Sequence, residues 1–375
     1  MSAHVVHLAV VAGIEPALQV LFVFAQVQAG DADLLETQFA PPLLDGERQG
    51  GKIDGGSGHA SEETCAEVGI ILPDIDSKGS SMPPDTQIPD VVHNQAPVAA
   101  VRLTPATLPI LASRPMDAHK GMYGRVLVIG GDHGTGGAAL LSAQSALRSG
   151  AGMVSLATRG EHAAPALARM PEVMVANIAS ANQLLPMAEA ATVLVVGPGL
   201  GQASWGRSLL SVAASQDKPQ VWDADALNQL AQGTVSLPAH AVLTPHPGEA
   251  ARLLGISIKQ VQDDRPAAAL RLARQYAAVC VLKGAGSLIA APDGRLAICE
   301  HGHPAMATGG LGDVLAGLVG ALRAQGMDGY DAACLGVWLH ACAGERLGKG
   351  GRGLAASDLI PAIRQLLEEH YPCLK

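Results

Sequence analysis

The chain has 375 residues, 48% of them hydrophobic and 16% charged, with 44 glycines and a formal net charge of −9. That leaves room for one large domain and a smaller one with an ample core, and the glycines lack the three-residue period of collagen. The charge is uneven: residues 1–100 carry three basic side chains against fourteen acidic ones, a net of −11, and residues 101–375 carry 22 against 20, a net of +2, so neither part has the basic stripe of a nucleic-acid binder.

Residues 5–24 are apolar but are interrupted by Glu15 and Pro16 and have no basic stretch before them. The expectation is no signal peptide, no membrane span and a cytoplasmic protein. Residues 41–100 are rich in Pro, Gly, Ser and Asp, and segments 50–61 and 77–97 read as loop. Residues 1–107 are therefore expected to be a largely irregular extension of unknown function, and residues 108–375 the folded domain. The six cysteines, Cys65, Cys280, Cys299, Cys334, Cys342 and Cys373, form no C-x-x-C pair and read as free thiols.

From residue 108 onward short apolar runs alternate with helical patterns. Strands are expected at 126–129, 154–158, 193–196, 220–223, 241–244 and 279–283, and helices at 138–149, 205–215, 249–254 and 266–277. This alternation predicts a mainly parallel sheet covered by helices on both faces. Ligands of such sheets sit beyond the C-terminal strand ends, and the unusual residues collect there.

After the first strand comes Gly130-Gly131-Asp132-His133-Gly134-Thr135-Gly136-Gly137-Ala138-Ala139. It is either a turn that admits a ligand to the backbone at a helix N-terminus or a tight turn without one. Gly197-Pro198-Gly199-Leu200-Gly201 follows the same logic. In Asp223-Ala224-Asp225, two carboxylates at a strand end can hold Mg²⁺ or one of them can cap the next helix; the residues alone favour the cap. In Thr244-Pro245-His246-Pro247-Gly248-Glu249, two prolines fix a histidine able to donate to a substrate oxygen or to face water, and Glu249 is placed to begin a helix. Lys283-Gly284-Ala285-Gly286-Ser287 suits nucleotide phosphates, or is a hairpin turn with a surface lysine returning through residues 288–291. Finally Thr308-Gly309-Gly310-Leu311-Gly312-Asp313 precedes a nearly all-apolar helix, 314–322. The N-terminus of a buried helix has amides that need an acceptor, and a phosphoryl group supplies one. Asp313 then takes a proton from an attacking hydroxyl, or is an N-cap.

In this order, with His119-Lys120-Gly121 ahead of them, the motifs resemble the ADP-dependent NAD(P)H-hydrate dehydratase family, the C-terminal half of many bifunctional nicotinamide-nucleotide repair proteins. The resemblance implies a three-layer α/β/α ribokinase-like domain that uses ADP or ATP, with Mg²⁺, to dehydrate the S epimers of hydrated NADH and NADPH (NADHX and NADPHX). It implies Asp313 as the base; Ala138, Gly199 or Gly201, His246 and Asp313 against the substrate; and Lys283, Gly284, Ala285, Gly286, Ser287 and Gly312 at the nucleotide. Direct protein ligands for Mg²⁺ are not evident. It also implies a homo-oligomer, a tetramer, without nucleic-acid or membrane partners. Residues 1–100 show no epimerase signature, so that activity is not carried over. The rival readings are a ribokinase-like small-molecule kinase, a non-catalytic nucleotide-binding protein, and a dinucleotide-dependent dehydrogenase, which lacks the acidic residue expected about 20 positions beyond its glycines.

Overall fold

The computed structural model describes residues 99–374. The loops expected at 50–61 and 77–97, and the apolar stretch at 5–24, lie outside the described residues. In chain order the first half contains β1 (Val101–Arg102), β2 (Arg125–Ile129), α1 (Gly136–Arg148), β3 (Met153–Thr158), α2 (Ala163–Arg169), β4 (Met174–Asn177), α3 (Ala181–Ala190), β5 (Val193–Val196), α4 (Ser204–Ala214), β6 (Gln220–Trp222) and α5 (Asp225–Ala231). The second half contains β7 (Ala241–Leu243), α6 (Pro247–Leu254), α7 (Ile258–Asp263), α8 (Arg265–Gln275), β8 (Val279–Leu282), β9 (Ser287–Ala290), β10 (Leu296–Cys299), α9 (Leu311–Ala324), α10 (Gly329–Gly348) and α11 (Ala356–His370).

The strands form one sheet in the order β1-β10-β9-β8-β7-β6-β5-β2-β3-β4. Pairing is parallel except where β9 runs antiparallel to β8 and β10. Both faces are covered, because successive side chains of a strand point to opposite sides. Val126 and Val128 of β2 join one core with α1, α9, α10 and α11. Leu127 and Ile129 join the other with α3, α4, α5, α6 and α8. This is the three-layer arrangement expected. The sheet begins ahead of residue 108: Val101 and Arg102 pair with Ala297 and Ile298, and Leu103 is buried.

Two features place the site. β2 lies between β3 and β5, so the chain leaves β2 toward one neighbour and β5 toward the other, opening a crevice at their C-terminal ends. Helices α1 and α9 also cross in near-backbone contact. A Cβ at Gly317 would lie 2.0 Å from the Ser142 carbonyl oxygen, and the Ser145 hydroxyl donates to the Val314 carbonyl at 2.7 Å. That crossing ties the helix that starts at the first glycine loop to the helix that carries Asp313.

Candidate active site

The two glycine loops close on each other at the crevice. The Gly131 amide donates to the Pro198 carbonyl at 3.0 Å and the Asp132 amide to the Gly199 carbonyl at 2.6 Å. The Thr135 hydroxyl reaches the same Gly199 oxygen at 2.8 Å. A Cβ at Gly130 would sit 2.0 Å from the Pro198 oxygen, so only glycine permits this approach. Gly201 has its amide on Asp225 and its carbonyl on Gln229, which makes it part of the loop's frame. Ala138 is half-buried in the first turn of α1. It lies one turn before Leu141, whose Cδ1 would be 2.8 Å from a Cβ on Gly310.

Four charged side chains meet beside this crevice. Lys283, just beyond β8, places its Nζ 2.7 Å from Asp223 Oδ1 and 3.9 Å from Glu249 Oε2. The Thr244 hydroxyl also donates to Asp223 Oδ1, at 2.8 Å. Asp223 is 1% exposed and caps no helix. The N-cap of α5 is Ala224, held at φ 49°, a strained value for a residue with a side chain, while the carboxylate turns inward to the lysine. This corrects the cap favoured from the residues alone. Lys283 is no surface lysine either, although the hairpin of β8 and β9 is present.

Asp313 occupies the third position of α9, behind an N-cap glycine, Gly310, at φ 88°. Its side chain is therefore not the cap. Burial, and then repulsion from Asp223, push its pKa up to about 7 against the opposing pull of Lys283. Glu249 is pushed up to about 7, again chiefly by burial. Lys283 is shifted upward, because Asp223 and Glu249 together outweigh the burial that acts in the opposite sense. A Cβ on Gly312 would fall 3.1 Å from Lys283 Nζ and 3.4 Å from Asp223 Oδ2. The head of α9 thus rests directly on this ion pair.

His246 is the N-cap of α6. Its Nδ1 accepts from the Gly248 amide at 2.9 Å, and its own amide donates to Glu249 Oε2 at 2.8 Å. With Nδ1 used as an acceptor, the ring carries its proton on Nε2. Burial and the nearby Lys283 lower its pKa, which favours this neutral donor. Half of the side chain is exposed at the crevice end of the sheet.

Residues 283–287 border a cleft of 540 Å³ whose other walls include Gly312, Met306, Leu315, Val337 and His340. A largely apolar cleft of that size suits a nucleotide base and ribose. Arg265 staples its rim, donating to the carbonyls of Leu282, Lys283 and Gly286 at 3.2–3.3 Å. His340 Nε2 lies 3.0 Å from the Leu311 carbonyl, and burial pushes the ring pKa down to about 4, so it donates as neutral imidazole. Sequence reasoning missed Arg265 and His340, because each acts on backbone atoms distant in the chain. Among the described residues no group of three or more His, Cys, Asp or Glu side chains is arranged to hold a metal. The carboxylates that do converge are engaged by Lys283, so a divalent cation here has no protein-built cage.

A mainly parallel sheet with a buried, glycine-led helix, a raised carboxylate at its head and a lysine beside a nucleotide-sized cleft is the arrangement of a ribokinase-like α/β/α protein. The family model for NAD(P)H-hydrate dehydratase matches residues 126–365, and the chain belongs to that family. It is 49% identical over 261 residues to a bifunctional NAD(P)H-hydrate repair enzyme of Coxiella burnetii, covering 69% of this chain and 53% of that one. It is 39% identical over 272 residues to an ADP-dependent (S)-NAD(P)H-hydrate dehydratase of Neisseria meningitidis, covering 68% of this chain and 89% of that one. Among solved structures it resembles the ADP/ATP-dependent NAD(P)H-hydrate dehydratase of Bacillus subtilis co-crystallized with ATP/Mg²⁺, with a TM-score of 0.62, 29% identity, and 70% and 95% of the two chains covered. The chain spans about half the length of the first curated relatives it matches.

Proposed function

We propose that the protein dehydrates the S epimers of hydrated NADH and NADPH at the expense of ADP or ATP. The observation that carries this reading is Asp313 at the head of α9, in one site with Lys283, Gly312 and the 540 Å³ cleft. The dehydratase of Neisseria meningitidis, most of whose length the chain covers, supports ADP as the co-substrate.

The nucleotide lies along residues 283–287, with its phosphates at Lys283 and the Gly312 amide. The reduced, hydrated pyridine ring lies at the crevice near Ala138, Gly199 and His246. Gly199 is favoured over Gly201, whose amide and carbonyl are already used. Asp313, with a pKa near 7, accepts the proton of the C6 hydroxyl as that oxygen attacks the terminal phosphorus, and AMP or ADP leaves. The unpaired amides at the start of α9 stabilise the charge on the moving phosphoryl group. The C6–O bond then breaks with the electrons on phosphate, the ring nitrogen's lone pair fills the vacancy, and loss of a proton from C5 restores the double bond. Mg²⁺ neutralises phosphate charge when it enters with the nucleotide. The protein is proposed to be a cytoplasmic homo-oligomer, a tetramer on the family resemblance; sedimentation velocity reads the copy number. No helix of the described residues is long and apolar enough to cross a membrane.

The test is direct. Purified protein with ADP and Mg²⁺ restores the absorbance of reduced nicotinamide from the S epimer of NADH hydrate, and Asp313→Ala abolishes this while retaining the circular dichroism of the parent. An alanine variant of undiminished activity sinks the assignment of the base.

A further inference from the structure

Arg265 is the first residue of α8, where a side chain of its kind does the helix no service. The positive end of a helix repels a cation. The helix is already started by Asp264, whose carboxylate accepts from the Ala267 amide at 3.0 Å, and Pro266 stands in its first turn. Burial lowers the pKa of the guanidinium, and no described carboxylate opposes that shift. Its side-chain partner is neutral, Gln262 Oε1 at 3.1 Å.

The contacts of Arg265 lie instead in the loop that follows β8. Its Nη2 donates to three carbonyls there, those of Leu282, Lys283 and Gly286. A Cβ on Gly284, held at φ 144°, would be 3.0 Å from both terminal nitrogens, so the guanidinium packs on backbone that only glycine leaves bare. Three carbonyls drawn to one side decide where the amides go. In a trans peptide the amide points away from its carbonyl. With the Lys283 carbonyl on Arg265, the Gly284 amide turns away, and its hydrogen bond there is a long one, 3.3 Å, to the Ser287 hydroxyl. The amides of Ala285 and Gly286 donate to no described group. Successive amides without partners form a nest for an anion. Residues 284–287 line the 540 Å³ cleft, and Arg265 does not.

We infer that Arg265 is a positioning residue for the nucleotide: it fixes the peptide orientations of residues 283–287 so that their free amides receive the phosphates, without itself touching the nucleotide. The inference rests on the reading of residues 283–287 as the nucleotide loop. It adds that affinity for the phosphates is set from behind that loop, by one planar fork spanning three carbonyls.

Isothermal titration calorimetry of the full chain with ADP and Mg²⁺ reads nucleotide binding, and the NADH-hydrate assay at saturating ADP reads KM for the other substrate. Arg265→Gln should weaken ADP at least about tenfold, while KM for the hydrate stays within about twofold of the parent. Arg265→Lys keeps the charge but not the fork, and should weaken ADP at least about threefold with the same split. Circular dichroism reads the fold of each variant. A wild-type chain that binds no ADP sinks the reading of the nucleotide loop, and the inference with it. A folded variant of either kind that binds ADP within about twofold of the parent overturns the inference alone. So does an equal rise in the Kd for ADP and the KM for the hydrate, or loss of fold in both variants, because Arg265 would then only support the domain at large.

Discussion

Substituting Gly317 by alanine tests whether the crossing of α1 and α9 sets the position of Asp313, the proposed base. The added Cβ would lie 2.0 Å from the Ser142 carbonyl oxygen, whereas ordinary contact begins at 3.4 Å. The obstacle is backbone in the middle of a helix and cannot rotate aside, so one helix must move by about 1.4 Å, the difference between those two distances. Overpacking of this kind costs about 1–3 kcal/mol. For a domain of this size that lowers Tm by about 3–9 °C. The larger effect falls on catalysis, because α1 carries Ala138 and α9 carries Gly312 and Asp313. A misplacement of about 1 Å costs on the order of a hundredfold in rate. Differential scanning calorimetry reads the first effect and the NADH-hydrate assay at saturating ADP reads the second. A Gly317→Ala protein that melts with the parent and turns over at the parental rate would refute the reasoning, since the helices would then have room that the geometry denies them.

Three further outcomes follow from the charged cluster. With the Asp313 pKa at about 7, this proposed base is protonated in acid, so kcat/KM should fall as the pH drops below neutrality; a profile flat down to about pH 5 would remove Asp313 from that role. Asp223→Asn leaves Lys283 with Glu249 at 3.9 Å as its nearest remaining carboxylate among the described residues. Stability should fall by about 3–5 kcal/mol in urea titration, as for a broken buried pair. The acid limb of the activity should also move to lower pH, because a negative charge that raises Asp313 is gone. His246→Asn keeps a capping acceptor for α6 but removes the Nε2 donor. It should raise KM for the hydrate by about tenfold, the worth of one hydrogen bond, with little change in Tm.

The order of the glycine loops and the strands preceding them could be read from the sequence because each rests on a local pattern. β2, β5 and β8 are short apolar runs followed at once by glycine or lysine, and the buried helix α9 follows a run of small residues. β4 and β10 were not legible. β4 is partly exposed at the sheet's edge, with Met174 half in solvent, and so lacks an unbroken apolar run. β10 is a four-residue strand that owes its place to an antiparallel neighbour. Within the site, Asp223 shows how local reasoning stops short. A carboxylate before a helix looks like a cap, and only the sheet brings Lys283, 60 residues onward and two strands across, to claim it. The strained φ of Ala224 is the local trace of that choice, and no residue type announces it.

Gathering three acids around a single ammonium has a further consequence. Two of those acids, Asp313 and Glu249, sit near neutrality in their titration, so the pocket stores a fractional, adjustable charge and the sites share their protons. A strongly anionic guest brought against it makes the ionised forms less favourable, and the pocket answers by drawing hydrogen ions from the buffer. On the proposed function, nucleotide capture should in this way be tied to the acidity of the surroundings even before any bond is made or broken.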